Sequence, residues 1–221
     1  MDGYRFRFDV VWNNLGFLLD GLGLTLLISA IALAASAVLG LGVALMRLSR
    51  FRIVSLTAAS YSELFRDTPI LVQLFWVYYV LPVLLGLRLD AFTAVVIGLS
   101  LNSTAFLAEV YRAGIQSVPR GQVEAARVLG LSPAQTTRRI VLPQAIRVVL
   151  PPMANDFVTL IKYSSLASTF AVGEITRKAT ELTAFTFRPM EIFTFVALVY
   201  FFICWPLSLS IRYVEKRLAV Q

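Results

Sequence analysis

Lys162 stands in the middle of the run Leu160-Ile161-Lys162-Tyr163-Ser164-Ser165-Leu166-Ala167. An ammonium group in such a setting is costly unless it faces a polar path or another helix, and its three donors are suited to a carboxylate. The competing use of this lysine and its serine neighbours is to fasten helix to helix. Other polar groups also interrupt apolar stretches. Glu109 precedes Arg112 by one helical turn, the spacing of an intrahelical ion pair. Asn155 and Asp156 follow Pro151-Pro152. Two prolines remove backbone donors and bend a helix, so these side chains are expected to satisfy the freed carbonyls. Covalent and metal chemistry finds little to work with. The chain has no histidine and one cysteine, Cys204. That excludes an internal disulfide and a Cys/His cluster for zinc or haem, and Cys204 reads as a small buried hydrophobe. No G-x-x-x-x-G-K-[ST] motif occurs, so no phosphate-cradling loop is expected. Neither a catalytic residue, nor a metal site, nor a cofactor bound by this chain is assigned.

The elements that hold these residues follow from composition. Of 221 residues, 58% are hydrophobic and only 15% are charged. A soluble domain carries about a quarter charged residues, whereas a bilayer accommodates apolar runs of about 20 as helices. Five such runs lie at about 17–46, 57–81, 91–111, 143–171 and 192–211. The expected fold class is therefore an all-α membrane protein of about five transmembrane helices. The net charge of +7 is unevenly placed. Arg47, Arg50 and Arg52, the connection from Arg112 to Arg147, and the C-terminal Arg212, Lys216 and Arg217 are strongly basic, while the intervening connections balance their charges. Basic connections face the cytoplasm, which puts the N-terminus outside and the C-terminus inside. The partner expected of this basic excess is anionic lipid.

The connection at about 112–143 is long enough to be structured. Gly121 to Leu129 reads GQVEAARVL, a helix-forming stretch, and Gly130 suits the left-handed position that ends a helix. Ser132-Pro133-Ala134-Gln135 then supplies an N-cap, a proline at the first helical position and a glutamine three residues on. The second helix is expected to run through Arg138 and Ile140 and to stop at Pro143.

Glu124-Ala125-Ala126, Gly130, and Ile140-x-Leu142-Pro143 match in identity and spacing the EAA loop of permeases in binding-protein-dependent ABC importers. Further segments resemble the polar-amino-acid branch of that family. They are Glu63 to Pro69 followed by LVQLF, Asn102 to Gly114, and Pro143 to Ser168, so the likeness covers nearly the whole chain. Asp67 departs from the family pattern, where glycine is usual, and so does Tyr163, where aspartate is frequent.

The resemblance implies a single permease domain over 1–221, the transmembrane domain of a type I ABC importer in a bacterial inner membrane. It implies a coupling helix that seats in a groove of an ATPase subunit, carried here by Glu124, Ala125, Ala126, Gly130, Ile140, Leu142 and Pro143. The small alanines would permit close approach and Glu124 an anionic contact. It also implies a substrate path through Asn102, Lys162, Ser164, Ser165 and Thr68. The implied partners are a second permease subunit, two ATPase subunits that use ATP and Mg, an external binding protein and an amino-acid substrate. Loss of the aspartate at Tyr163 points away from lysine or arginine as substrate. Two alternatives make different demands. AARVLGLSPAQTTRR has the look of a DNA-binding helix-turn-helix, but a stretch pinned between two spans lacks room for a third helix, and no nucleic-acid partner is expected. A secondary transporter or channel driven by an ion gradient through Glu109, Lys162 or Asp156 would need no ATPase and would respond to pH or sodium.

Overall fold

The computed structural model describes residues 4–219, and the described residues contain helices and connections but no strand. A short helix α1 (Asp9–Asn13) leads into the long α2 (Leu15–Arg47). Helix α3 (Arg52–Asp67) follows, then α4 (Ile70–Phe75) and α5 (Leu81–Leu85) joined by a π-turn, Trp76–Val80. Helix α6 (Ala91–Gln116) is the centre of the bundle. Helices α7 (Arg120–Val128) and α8 (Pro133–Thr136) form the long connection, and α8 passes through a second π-turn, Thr137–Val141, into α9 (Leu142–Tyr163). A 3-10 stretch, Ser164–Phe170, precedes α10 (Ile175–Thr186) and α11 (Pro189–Ala219).

The five expected runs all appear as helix, but two are not simple spans. Three helices, α2, α6 and α11, are long and apolar enough to cross a membrane, and the bent pair α3 with α4–α5 raises the number to four. The run at 57–81 is broken, because α3 and the α4–α5 segment meet at 109°. The cause is Pro69, which drives Thr68 into extended backbone (φ −107°, ψ 145°) and ends the helix. Helix α9 falls outside the apolar class because Gln144, Arg147, Pro151, Pro152, Asn155 and Asp156 lower its mean hydropathy. It packs against α6, α2 and α11, so protein rather than lipid meets much of its surface.

Both π-turns precede a Leu-Pro pair. Leu81 N–H bonds to Trp76 O and Leu142 N–H to Thr137 O, five residues back in each case. A proline cannot donate, and its ring displaces the carbonyl four residues earlier, so a wider turn lets the helix continue through it. The second helix of the long connection therefore does not stop at Pro143 as expected. It continues as α9, making the connection and the bundle one mechanical piece.

The packing of α2 on α6 rests on small residues at every fourth position. Ala32, Ser36, Gly40 and Ala44 are all buried, and a Cβ on Gly40 would sit 3.0 Å from Leu107 Cβ and 3.3 Å from Ala108 N. Close approach of this kind replaces the hydrophobic drive that is missing inside lipid. One apolar core joins Ile28, Leu74, Leu99, Leu160 and Phe170 from several helices. A second, around Val11, Leu18, Ile175 and Ile192, closes the end where α1 and α10 lie. At that end the buried carboxylate of Glu191 accepts from Tyr4 Oη at 2.5 Å and from Arg7 N–H at 2.9 Å, tying the N-terminal arm to α11. At the opposite end Glu109 meets both Arg112 (2.8 Å) and Arg47 (2.8 Å). The pair expected with Arg112 is therefore present, and α2 joins it.

Candidate functional site

The connection between α6 and α9 is built by local rules. Helix α7 ends in a Schellman motif: Leu131 N–H bonds to Ala126 O and Gly130 N–H to Arg127 O, each at 3.0 Å. Gly130 takes φ +79°, the left-handed conformation that an L-residue adopts only with strain. Helix α8 opens with a complete capping box, in which Gln135 N–H reaches Ser132 Oγ and Ser132 N–H reaches Gln135 Oε1 at 2.9 Å. Glu124 and Ala125 are exposed, but Ala126 is buried within the chain at 2% exposure. The expected pair of alanines is therefore split: Ala125 is open to a partner and Ala126 packs the loop on itself. Ile140 is half-buried, and Leu142 and Pro143 are exposed beside the π-turn. The sequence reading missed Val128 and Leu129, which are 88% and 79% exposed around the glycine turn. Together they form an exposed apolar patch beside a helix end. Their position one and two residues before Gly130 was the available signal. A groove of about 670 Å³ lies at the root of the loop, lined by Gln116, Arg120, Glu124, Arg127 and Val141 among others.

The second region is a cleft of about 460 Å³ where the broken helix meets α6 and α9. Its lining brings together Thr68, Asn102, Lys162 and Ser165, four of the five residues expected on a substrate path. The fifth, Ser164, is fully buried, donates to Ile161 O at 2.8 Å and does not line the cleft. Its hydroxyl falls on the face of the 3-10 stretch turned toward the protein, away from the cleft.

Much of the polarity here is first used on the backbone. Ending α3 at Asp67 leaves carbonyls without helical partners. Thr68 Oγ1 donates to Leu64 O at 2.7 Å, and Gln73 Nε2 donates to Phe65 O (2.8 Å), Thr68 O (3.0 Å) and Thr68 Oγ1 (2.7 Å). Asn102 Nδ2 donates to Phe65 O and to Gln73 Oε1, both at 3.0 Å. Thr68 and Asn102 thus hold the bend, and Asn102 keeps only its carbonyl oxygen for a ligand. Ser165 donates to Lys162 O at 2.7 Å and likewise keeps acceptor capacity. Lys162 pairs with no carboxylate among the described residues, so the cleft holds an uncommitted ammonium.

Two members of this site escaped the sequence reading. Gln73 organises the bend, and a polar residue four places after a proline in an apolar run was the clue. Arg66 lines the cleft and lies over the Phe106 ring, 5.7 Å from its centroid, adding a second cation. Among the described residues, Asn155 and Asp156 donate no hydrogen bond to the carbonyls freed by the double proline, so the support expected of them is not seen. They line a smaller cavity of about 230 Å³ that shares Asn102, Phe106 and Tyr163 with the cleft.

Comparison with known proteins gives a consistent picture. The model of the family described as binding-protein-dependent transport system inner membrane component matches residues 36–220. The chain is 42% identical over 210 residues to the probable glutamine ABC transporter permease protein GlnM of Bacillus subtilis (strain 168), covering 95% of this chain and 97% of that one. It is 37% identical over 217 residues to the glutamine transport system permease protein GlnP of Escherichia coli (strain K12), covering 98% and 99%. Among solved structures, a crystal structure of an amino acid ABC transporter with histidines superposes with a TM-score of 0.90 at 36% identity, covering 97% of this chain and 100% of that one. A methionine ABC transporter, MetNI, in an inward-facing conformation shares the fold, with a TM-score of 0.72 at 20% identity over 91% of this chain and 98% of that one.

Proposed function

The chain belongs to the family of inner membrane components of binding-protein-dependent transport systems, and on that footing we propose that it is the permease subunit of an ATP-driven importer for a polar amino acid in a bacterial inner membrane. The observation that carries the reading is a self-capped loop with exposed Glu124, Ala125, Val128 and Leu129, continuous through a π-turn with a helix that lines a cationic cleft. Such a loop suits an ATPase subunit as its partner. Closure of two ATPases on ATP and Mg displaces α7, α8 transmits the displacement into α9, and the cleft changes its access. The family's arrangement adds a second permease subunit, the same chain or a related one, and an external binding protein that delivers substrate.

In this scheme the N-terminus is outside and the basic loop and C-terminus are cytoplasmic. Lys162 and Arg66 hold the substrate's carboxylate, while Asn102 Oδ1 and Ser165 Oγ accept from its N–H groups. The glutamine permeases named above and the tyrosine at position 163 favour a neutral, amide-bearing amino acid. Glu109 is held between Arg47 and Arg112, which leaves it poorly placed to carry a coupling ion.

The test is purification from mild detergent with mass spectrometry of the retained chains, together with uptake into vesicles. An ATPase subunit kept by the natural chain and lost with Glu124→Lys is expected, as is uptake that needs ATP hydrolysis. Lys162→Met is expected to assemble normally and to lower uptake by about tenfold or more, the effect of one charged hydrogen bond. Uptake driven by a proton or sodium gradient without an ATPase overturns the reading.

A further inference from the structure

At the end of the bundle that carries α1 and α10, an apolar groove of about 460 Å³ lies between α1, α2 and α11. Phe8, Trp12, Leu22, Phe195, Leu198 and Phe202 are among its lining residues, and none of the lining side chains is charged. The groove follows α11 from Phe195 to Ile203, roughly 12 Å of helix, against about 15 Å for the hydrocarbon of one leaflet. One wall belongs to the N-terminal arm, which is tethered in place. Buried Glu191 accepts from Tyr4 Oη and from Arg7 N–H, and Arg188 Nη1 donates to Arg5 O at 3.1 Å. Trp12 is 64% exposed, yet its ring meets Phe195 edge-on with centroids 6.3 Å apart, so it both lines the groove and reaches out of it.

The same tether gathers cations beside the groove. Arg7 directly precedes the lining residue Phe8, and Arg188 directly precedes α11 and lies over the Tyr4 ring, 5.5 Å from its centroid. Against Arg5, Arg7 and Arg188 stand two carboxylates, Asp9 at 2.9 Å from Arg7 and Glu191 at 3.7 Å from Arg188. Three cations against two anions leave a positive excess, and Arg5 makes no ion pair among the described residues. A helix of a partner subunit would need small residues here to approach closely, whereas the lining is Phe, Trp, Leu, Val and Ile. An acyl chain needs no such approach, and a tryptophan with cations at the end of a span is the setting of a lipid headgroup. We infer that this groove is a binding site for one anionic glycerophospholipid. Its acyl chain lies along α11 from Phe195 to Ile203, and its phosphate meets Arg5, Arg7 and Arg188. In the orientation proposed above it is a lipid of the outer leaflet, on the face opposite the basic loop. The inference does not depend on what the cleft carries.

The experiment uses the full chain in nanodiscs, with Trp76→Phe and Trp205→Phe so that Trp12 is the remaining tryptophan. The discs are phosphatidylcholine with a minor share of phosphatidylglycerol or of phosphatidylcholine whose acyl chains are brominated, and quenching of Trp12 fluorescence reports which lipid occupies the groove. Brominated phosphatidylglycerol is expected to quench as though enriched about fivefold or more over its share, the attraction of one arginine at a membrane surface. Brominated phosphatidylcholine is expected to quench only in proportion to its share. Arg5→Gln with Arg7→Gln keeps the Arg7 N–H for Glu191 and is expected to reduce the enrichment to about twofold or less. Arg88→Gln removes a charge from the connection between α5 and α6 and is expected to leave the enrichment unchanged. Val199→Phe fills the groove without altering charge and is expected to lower quenching by both lipids. Equal quenching by the two brominated lipids means an ordinary lipid shell and overturns the assignment. So does an equal loss of enrichment with Arg88→Gln, which would reflect the general surface field. A Trp12 that neither lipid quenches means that protein covers the groove, and the site is then not a lipid site.

Discussion

The loop between α6 and α9 and the cleft differ in how far apart in sequence their parts lie. In the loop, Ser132 pairs with Gln135 and Leu131 with Ala126, all within one or two turns. In the cleft, Asn102 reaches 37 residues back to Phe65, and in the smaller cavity beside it Ser103 bonds across 53 residues to Asp156. The loop therefore forms from its own sequence, and the rest of the molecule has only to hold its two ends. The cleft exists only when α3, α6 and α9 are packed together. One region is a module that can be presented to a partner, and the other is a property of the whole bundle. The π-turn at Thr137–Val141 joins them, so force on the first reaches the second along an unbroken helix.

Substitutions should separate the two regions. The largest effect is expected for Gln73→Leu, which removes the side-chain donor for Thr68 O and an acceptor for Asn102, leaving Phe65 O with Asn102 alone. Leaving such groups unpaired costs about 1–3 kcal/mol each. Thermal unfolding in detergent is expected to show marked destabilisation, with substrate binding lost. A binding-competent Gln73→Leu protein would mean that the bend at Thr68-Pro69 does not depend on this network. Gly130→Leu comes next. No atom lies near its Cβ, so the cost is conformational, about 1–2 kcal/mol for a left-handed L-residue. Co-purification of the ATPase is expected to fall while glutamine binding in the cleft is unchanged; equal loss of both would erase the distinction between the regions. Ser132→Ala deletes one half of the capping box, worth about 1 kcal/mol, and is expected to lower ATP-driven uptake partially with stability of the bundle intact. A normal uptake rate would show that α8 needs no cap once α9 is in place.

The smallest effect concerns pH. Asp90 caps α6 through Thr93 N–H at 3.0 Å and Thr93 Oγ1 at 2.6 Å, and these hydrogen bonds hold its carboxyl below the usual aspartate range. A carboxyl whose value is lowered on folding stabilises the fold above its unfolded value, and that stabilisation is lost as pH falls through the folded one. Acid titration of unfolding is therefore expected to show a small loss below the ordinary aspartate range that Asp90→Asn lacks, with no change near neutrality.

Legibility in the sequence follows the same division. The cap at Ser132, the glycine turn at Gly130 and the pairing of Glu109 with Arg112 were readable because each depends on residues a turn or two apart. Thr68, Asn102, Lys162 and Ser165 were placed together by resemblance, and the structure does bring them to one cleft. It also shows that Thr68 and Asn102 first serve the broken helix, and that Ser164 faces inward. The break itself was missed because the stretch at 57–81 was read as one span across Glu63, Arg66 and Asp67, and hydropathy carries no information about the direction of a chain after a proline. Arg66 was passed over because it entered only as part of the matched segment Glu63 to Pro69, and nothing in that match set it apart.

Composition and charge placement alone determined that this chain is a helical membrane protein with a basic loop long enough to have its own structure. A bilayer admits few other uses for such apolar runs, and helices of this kind satisfy their own backbone. Only the tertiary structure decided that α3 and α4 meet at 109°, that Arg66 joins Lys162, and that Asp156 faces a cavity without a cation. The reason is physical: hydrogen bonds between helices depend on rotation and register, and many registers are compatible with the same apolar pattern. Gly40 against Leu107 and Gln73 against Phe65 are among the contacts that select one of them.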